Sequence, residues 1–160
     1  MRVTDKYVFF WKGWLSNFWR APFTDDDIDI SFFCTEQYFM YSKAIIFGDD
    51  EHAEEILRAN SPQVCRNLGQ KVVGYKDDIW SSVREEIMFK CNYLKYKQNL
   101  DLGEKLIKLG EGRHFVEASP YDRIWAIGIE ETDDRCLDPK NWLGTNLLGK
   151  TLDKVRLALR

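Results

Sequence analysis

The sequence predicts an α+β fold: one mostly helical domain over residues 1–160, with a small β-sheet formed by N-terminal and C-terminal-half strands. Three observations predict it. Helical periodicity, with start and stop signals, recurs through the middle and the end of the chain. The β-prone runs lie only near the two ends. No repeat, linker or low-complexity segment divides the 160 residues, a length that supports one core.

The elements follow in order. Tyr7-Val8-Phe9-Phe10-Trp11 is β-prone and ends at the turn Lys12-Gly13-Trp14. Ser16 and Asn17 then sit among large apolar groups, either as a local turn or as hydrogen-bonding groups for a ligand. Thr24-Asp25-Asp26-Asp27 reads as a polar turn and Ile28–Phe32 alternates as a half-buried strand, which with the strand at 7–11 makes a hairpin-like unit leading into a helix at Thr35. That helix carries Glu36, Met40 and Lys43 on one stripe, with Thr35 placed to cap it, and Gly48 stops it. A second helix spans 50–59, with Ala53, Ile56 and Leu57 inward, and a third opens at Ser61-Pro62 and stops at Gly69.

The longest helix begins at Asp77 or Asp78. Its apolar stripe is Trp80, Val83, Ile87, Cys91 and Leu94, with Arg84 and Lys90 on other faces and Trp80 placed to line a pocket mouth. Leu100–Leu109 is a further helix and His114–Ala118 a strand. The loop at 119–123 leads to a second β-prone run, Ile124–Ile129. Residues 130–141 read as an exposed loop, and the last helix runs to about Leu159.

Composition bounds the function. With 23 basic and 26 acidic side chains the net charge is −3, which argues against an electrostatic grip on long nucleic acid. Six Trp, seven Tyr and ten Phe suit both a core and stacking on flat rings. Cys34, Cys65, Cys91 and Cys136 lack the spacing of a zinc site and read as thiols of a reduced, cytoplasmic protein. No apolar run reaches the ~20 residues of a membrane span, so no membrane partner is expected.

Four features place polar groups in apolar settings: Ser16-Asn17, Glu36 with Lys43, Glu117 with Asp122, and Asn146. Such groups suit acid, base or nucleophile roles. Carboxylates, one lysine and several Trp fit cleavage at a sugar carbon through an oxocarbenium-like cation. Exposed faces of an ordinary helix explain the same charges equally simply.

The order Leu15-Ser16-Asn17-Phe18, then Thr35-Glu36-Gln37-Tyr38-Phe39 to Lys43, resembles the NADAR family. The resemblance continues through Ser61-Pro62, Trp80 with Arg84 and Met88, Val116-Glu117, Asp122 with Trp125 and Gly128, and Trp142-Leu143-Gly144 with Asn146, Leu148 and Gly149. It implies an N-glycosidase, a hydrolase that cleaves between a ribose and a base. The ribose is a ribose phosphate, as in ribosylamino pyrimidine intermediates of riboflavin biosynthesis, or the ADP-ribose of ADP-ribosylated guanine. A non-catalytic ADP-ribose or nucleotide-binding module is the alternative. The implied partner is a small nucleotide-like molecule or ADP-ribosylated guanine, and no metal or other cofactor is implied.

Carried over residue by residue, the resemblance makes Glu36, Lys43 and Asp122 the catalytic candidates, with Lys43 either a Schiff-base nucleophile or a cationic clamp. Asn17, Trp80, Trp125 and Asn146 are the substrate-binding candidates, and Arg20 joins them on charge alone. Two positions depart from the family: Gln37 replaces the usual His, and Ala126 replaces a frequent Gly.

Overall fold

The computed structural model describes all 160 residues. Its elements are β1 (Arg2–Val3), β2 (Tyr7–Phe10), β3 (Phe23–Asp25), β4 (Ile30–Phe32), α1 (Thr35–Ile46), α2 (Asp50–Arg58), α3 (Pro62–Gly69), α4 (Asp77–Gln98), α5 (Leu100–Leu109), β5 (His114–Glu117) and α6 (Leu147–Ala158). The architecture is α+β, with six helices and two small sheets. Backbone contacts group residues 1–16 with 100–160 as one unit and residues 17–99 as another. No helix is long and apolar enough to cross a membrane.

In the first unit the sheet order is β1-β2-β5. β2 runs antiparallel to β1 and parallel to β5, with Tyr7 opposite His114 and Phe10 opposite Glu117. An N-terminal strand thus pairs with one from the C-terminal half, as the β-prone ends predict. Val8, Phe9 and Phe10 are all fully buried, as expected for a parallel strand covered on both faces. Phe9 packs with Val116, Ala118, Ile127, Ile129 and Cys136. α6 packs on β5 and buries Leu148, Leu152 and Val155.

The run 124–129 is not a strand. The carbonyls of Arg123, Ile124, Trp125, Ala126 and Ile127 accept from the N–H groups of Thr145, Leu147, Leu148, Asn146 and Leu143, respectively. These bonds cover the donors that open α6, so none of those carbonyls is left for a sheet ladder. Gly144 is required by the closeness of this packing, since a Cβ there would lie 2.2 Å from the Ala126 carbonyl oxygen. The stretch after it, expected as plain loop, forms two 3₁₀ turns at Asp134–Leu137 and Pro139–Asn141.

In the second unit β4 forms an antiparallel hairpin with β3, not with the strand at 7–10 as expected, because the short turn after Asp25 brings Phe23–Asp25 back alongside it. Thr24 and Asp25, expected in a polar turn, belong to β3. Asp25 is 2% exposed and accepts from the Tyr38 hydroxyl (2.7 Å), with Lys90 Nζ also at 2.8 Å. Burial pushes its carboxyl up, and the hydrogen bonds from Lys90, Tyr38 and the Asp27 N–H outweigh that and hold it below the usual value. A charge at 25 therefore sits in the core because the fold supplies its partners.

α1 touches α2, α3, α4 and β4. Its N-cap residue is Cys34 rather than Thr35, and no side chain caps it. The Thr35 hydroxyl instead donates to the Asn17 carbonyl (3.0 Å) and side chain (3.1 Å). α3 begins as the sequence predicts, with the Ser61 side chain accepting from the Val64 N–H and Pro62 in the first turn. Gly69 lies within α3, where a Cβ would come 2.0 Å from Met40 Sδ.

α4 differs from its expected register. Its buried residues are Trp80, Met88, Cys91, Asn92, Lys95 and Tyr96, while Val83, Ile87 and Leu94 are only partly buried. Arg84, placed on another face by the sequence, shares the stripe with Trp80 and Met88 and is partly buried.

Candidate active site

The second unit gathers five of the eight candidate residues: Asn17, Arg20, Glu36, Lys43 and Trp80. Glu36 lies in the first turn of α1, where the helix dipole favours a carboxylate, and is 8% exposed. Its N–H donates to the Asn17 carbonyl at 3.1 Å. The Asn17 side chain accepts from Thr35 Oγ1 and Asn92 Nδ2 and donates to Met88 Sδ. Asn17 is thereby tied to the start of α1 and to the middle of α4.

Lys43 is two helical turns beyond Glu36, roughly 10 Å along the axis at about 1.5 Å per residue. Its Nζ donates to the Gly69 carbonyl at 2.9 Å and lies 4.6 Å from the Tyr75 ring and 5.9 Å from the Trp80 ring. Burial lowers its pKa below the ordinary lysine value, and the Glu36 charge offsets part of that. The two side chains are thus electrostatically coupled. Gly69 serves the site twice, since it admits Met40 and presents the carbonyl that holds the amine.

Trp80 is a wall of this arrangement and not a pocket mouth. It is 6% exposed, with its ring 4.9 Å from Phe39. One turn on, the Arg84 Nε is buried without a hydrogen-bond partner. Arg20 is exposed, with its guanidinium 4.9 Å from the Phe33 ring.

Sequence reasoning missed Lys95. It is fully buried, 4.8 Å from the Tyr96 ring, and burial pushes its pKa down to about 7, with Cys91 and Cys34 pulling the other way. The signal was available: 80, 84, 88, 91 and 95 form one helical stripe once cations are allowed into it. Tyr75 and Arg84 were missed for the same reason, being polar residues beside an apolar pattern.

The remaining three candidates are in the first unit. Asp122 Oδ1 accepts from the N–H groups of Ile124 and Trp125, both at 2.8 Å, and closes the turn that Glu117 and Asp122 bracket. Trp125 is partly buried. Asn146 has φ 53°, a left-handed conformation that Asn tolerates well. Its Oδ1 accepts from the Glu117 N–H (2.9 Å) and its Nδ2 donates to the Phe115 carbonyl (3.0 Å). Nowhere do three His, Cys, Asp or Glu side chains gather as a metal site requires.

The motifs that carry this geometry run through both units, and so does one family model: the NADAR domain matches residues 9–160. The chain belongs to the NADAR family. It is 42% identical over 132 residues to Protein irg-1 of Caenorhabditis elegans, covering 81% of this chain and 62% of the worm protein, less than two thirds of its length. It is 33% identical over 165 residues to N-glycosidase R617 of Acanthamoeba polyphaga mimivirus, covering 96% of each. The solved NMR structure of YbiA from Escherichia coli superposes with a TM-score of 0.78 at 27% identity, over 99% of this chain and 87% of that one.

Of the two departures from the NADAR pattern, the one at position 37 has a structural account. Gln37 is 3% exposed; its Nε2 donates to the Ile56 carbonyl at 3.0 Å and its Oε1 accepts from the Phe33 N–H at 2.9 Å. Position 37 ties α1 to α2 and to β4's end. Ala126 is fully buried, and its carbonyl accepts from the Asn146 N–H.

Proposed function

We propose that this NADAR chain is an N-glycosidase that hydrolyses the bond between a ribose and a base, the ribose being a ribose phosphate or part of ADP-ribose. The observation that carries the reading is the setting of Lys43. A half-buried amine of lowered pKa sits on one carbonyl between two aromatic rings, two turns from a carboxylate at a helix N-terminus. A structural lysine gains little from such a place, whereas a nucleophile needs it. The names of the mimiviral and bacterial relatives support the same class of reaction.

In this reading the C1′–N bond breaks with its electron pair on the base nitrogen, and that nitrogen gains a proton. Glu36 stabilises the positive charge left on C1′. The neutral Lys43 amine adds to C1′ and gives up one proton, the one the base nitrogen takes; the C1′–O4′ bond then breaks with its electron pair and the second amine proton on O4′, leaving a C1′=N imine. Water adds across that imine, the amine leaves with both water protons, and the O4′ hydroxyl closes on the C1′ aldehyde to give a C1′ hydroxyl. Arg84 offers its buried Nε to the phosphate side. Asp122, Trp125, Asn146 and Arg20 enter the proposal through resemblance and charge. Asn17 and Asn146, with their amides engaged, act as positioning residues. The proposed substrates are ribosylamino pyrimidine phosphates and ADP-ribosylated guanine, and four buried free thiols support a cytoplasmic setting.

The test is to incubate the protein with a ribosylamino pyrimidine phosphate and with ADP-ribosylated guanosine, and to follow released base by mass spectrometry. Release from either, lost in Glu36→Gln, is expected. No release from either, with tight ADP-ribose binding, would replace the enzyme by a binding module. Borohydride reduction during turnover is expected to trap a sugar adduct on Lys43. Turnover without an adduct makes Lys43 a clamp.

A further inference from the structure

A cleft of about 420 Å³ lies wholly within the first unit, lined by Trp14, Lys105, Lys108, Leu109 and Arg113. It shares no residue with the candidate active site. Its volume is in the range of small-ligand pockets, about 300–1,000 Å³. Three of its five lining residues are cations, in a chain whose net charge is −3.

The local acids do not cancel that charge. Lys105 has one acidic partner, Asp101 at 3.8 Å, and both side chains are more than half exposed, which makes the pair weak. Lys108 makes no ion pair. Arg113 donates from Nε to the Thr4 carbonyl (2.9 Å) and from Nη1 to the Leu109 carbonyl (3.3 Å). Its guanidinium is thus held in place by neutral acceptors and keeps its full charge. It also covers a carbonyl at the C-terminus of α5, an end that would otherwise repel an anion. Next to Leu109, Gly110 lies against the side chain of Arg156, which is 9% exposed and whose Nε has no hydrogen-bond partner. A fourth cation therefore stands close to this wall.

The remaining surface is apolar: an indole, a leucine and the aliphatic stems of the lysines. A bare inorganic anion would leave that surface unused, and an uncharged ring would leave the cations unused. The matching ligand carries a flat ring and a phosphate a few ångströms apart. We propose that this cleft binds a nucleoside monophosphate, free or as the 5′ end of a strand, with the base against Trp14 and the phosphate among Lys105, Lys108 and Arg113.

The test uses the full chain labelled with ¹⁵N. Trp14→Phe identifies the Trp14 indole N–H signal among the six indoles. Titration with AMP is expected to move that signal to saturation, with adenosine and inorganic phosphate each about tenfold weaker or worse. Lys105→Glu combined with Lys108→Glu is expected to weaken AMP about tenfold, with base release from an N-glycoside unchanged. A 5′-phosphorylated dinucleotide that matches AMP assigns the site to strand ends, and one that fails assigns it to free nucleotide. A Trp14 signal unmoved by AMP, or equal AMP affinity in the double variant, overturns the proposal. Neither result depends on whether the chain cleaves N-glycosides.

Discussion

The two units differ in how they hold their candidate charged groups. In residues 17–99 two motif cations are partly buried: Lys43 rests on the Gly69 carbonyl, and Arg84 keeps an Nε without a hydrogen-bond partner. In residues 100–160 the motif side chains serve the backbone. Asp122 closes a turn on two N–H groups, and Asn146 bridges two backbone groups of β5. A neutral amide or a partly exposed carboxylate placed on backbone groups stabilises the fold at small cost. A cation kept in an apolar site costs stability. Motifs that look alike in the sequence thus divide into candidate reactive groups and scaffold.

That contrast is open to direct attack. The largest expected effect is on turnover: Glu36→Gln and Lys43→Met should each lower base release by roughly 10³-fold with melting temperature little changed. Lys43→Arg separates charge from nucleophilicity, since a clamp survives it and a nucleophile does not. Asn146→Ala should act on stability instead. It orphans the Glu117 N–H and the Phe115 carbonyl and places Ala at φ 53°, for a loss of about 3 kcal/mol in urea unfolding. Equal melting temperature with turnover abolished would move Asn146 to the reactive side of the comparison.

Lys95 sharpens the contrast through pH. Its folded pKa of about 7 lies below the ordinary 10.5, so between those values the unfolded chain binds the extra proton and stability rises with pH. Buried thiols pull the other way above their ordinary value of 9.0, because Cys34 is pushed up to about 11 and Cys65 to about 12. The informative quantity is therefore the difference between the natural protein and Lys95→Met. That difference should change by about 2 kcal/mol between pH 7 and pH 9, and a flat difference would mean that Lys95 is not desolvated. The smallest effect is expected for Asp122→Asn. It keeps an oxygen for both N–H groups and should cost under about 1 kcal/mol. A large loss of turnover in that variant would show that the charge of Asp122, not its turn, matters.

The helices were legible because their signals are local. Ser61-Pro62 starts α3 and Gly48 stops α1 by conformational preference alone. The pairing of 7–10 with 114–117 was legible from two β-prone ends. The run 124–129 was not, because its composition suits a strand while its carbonyls are claimed by residues some twenty positions later. The α4 stripe was misread because an apolar template selects Val83, Ile87 and Leu94 and passes over Arg84 and Lys95.

For the candidate site, the sequence by itself determined which residue types stand in what order: Glu36 in the first turn of a helix, Lys43 on the same stripe, Asp122 in a loop and Asn146 at the opening of the last helix. Only tertiary structure decided what each is used for. Gly69 offers Lys43 its carbonyl across the contact between α1 and α3, Asn146 is consumed by β5, and Gln37 is turned towards α2. The reason is physical. Periodicity and capping act over a few residues, whereas burial, pKa and hydrogen-bond partner depend on chain segments that meet only after folding.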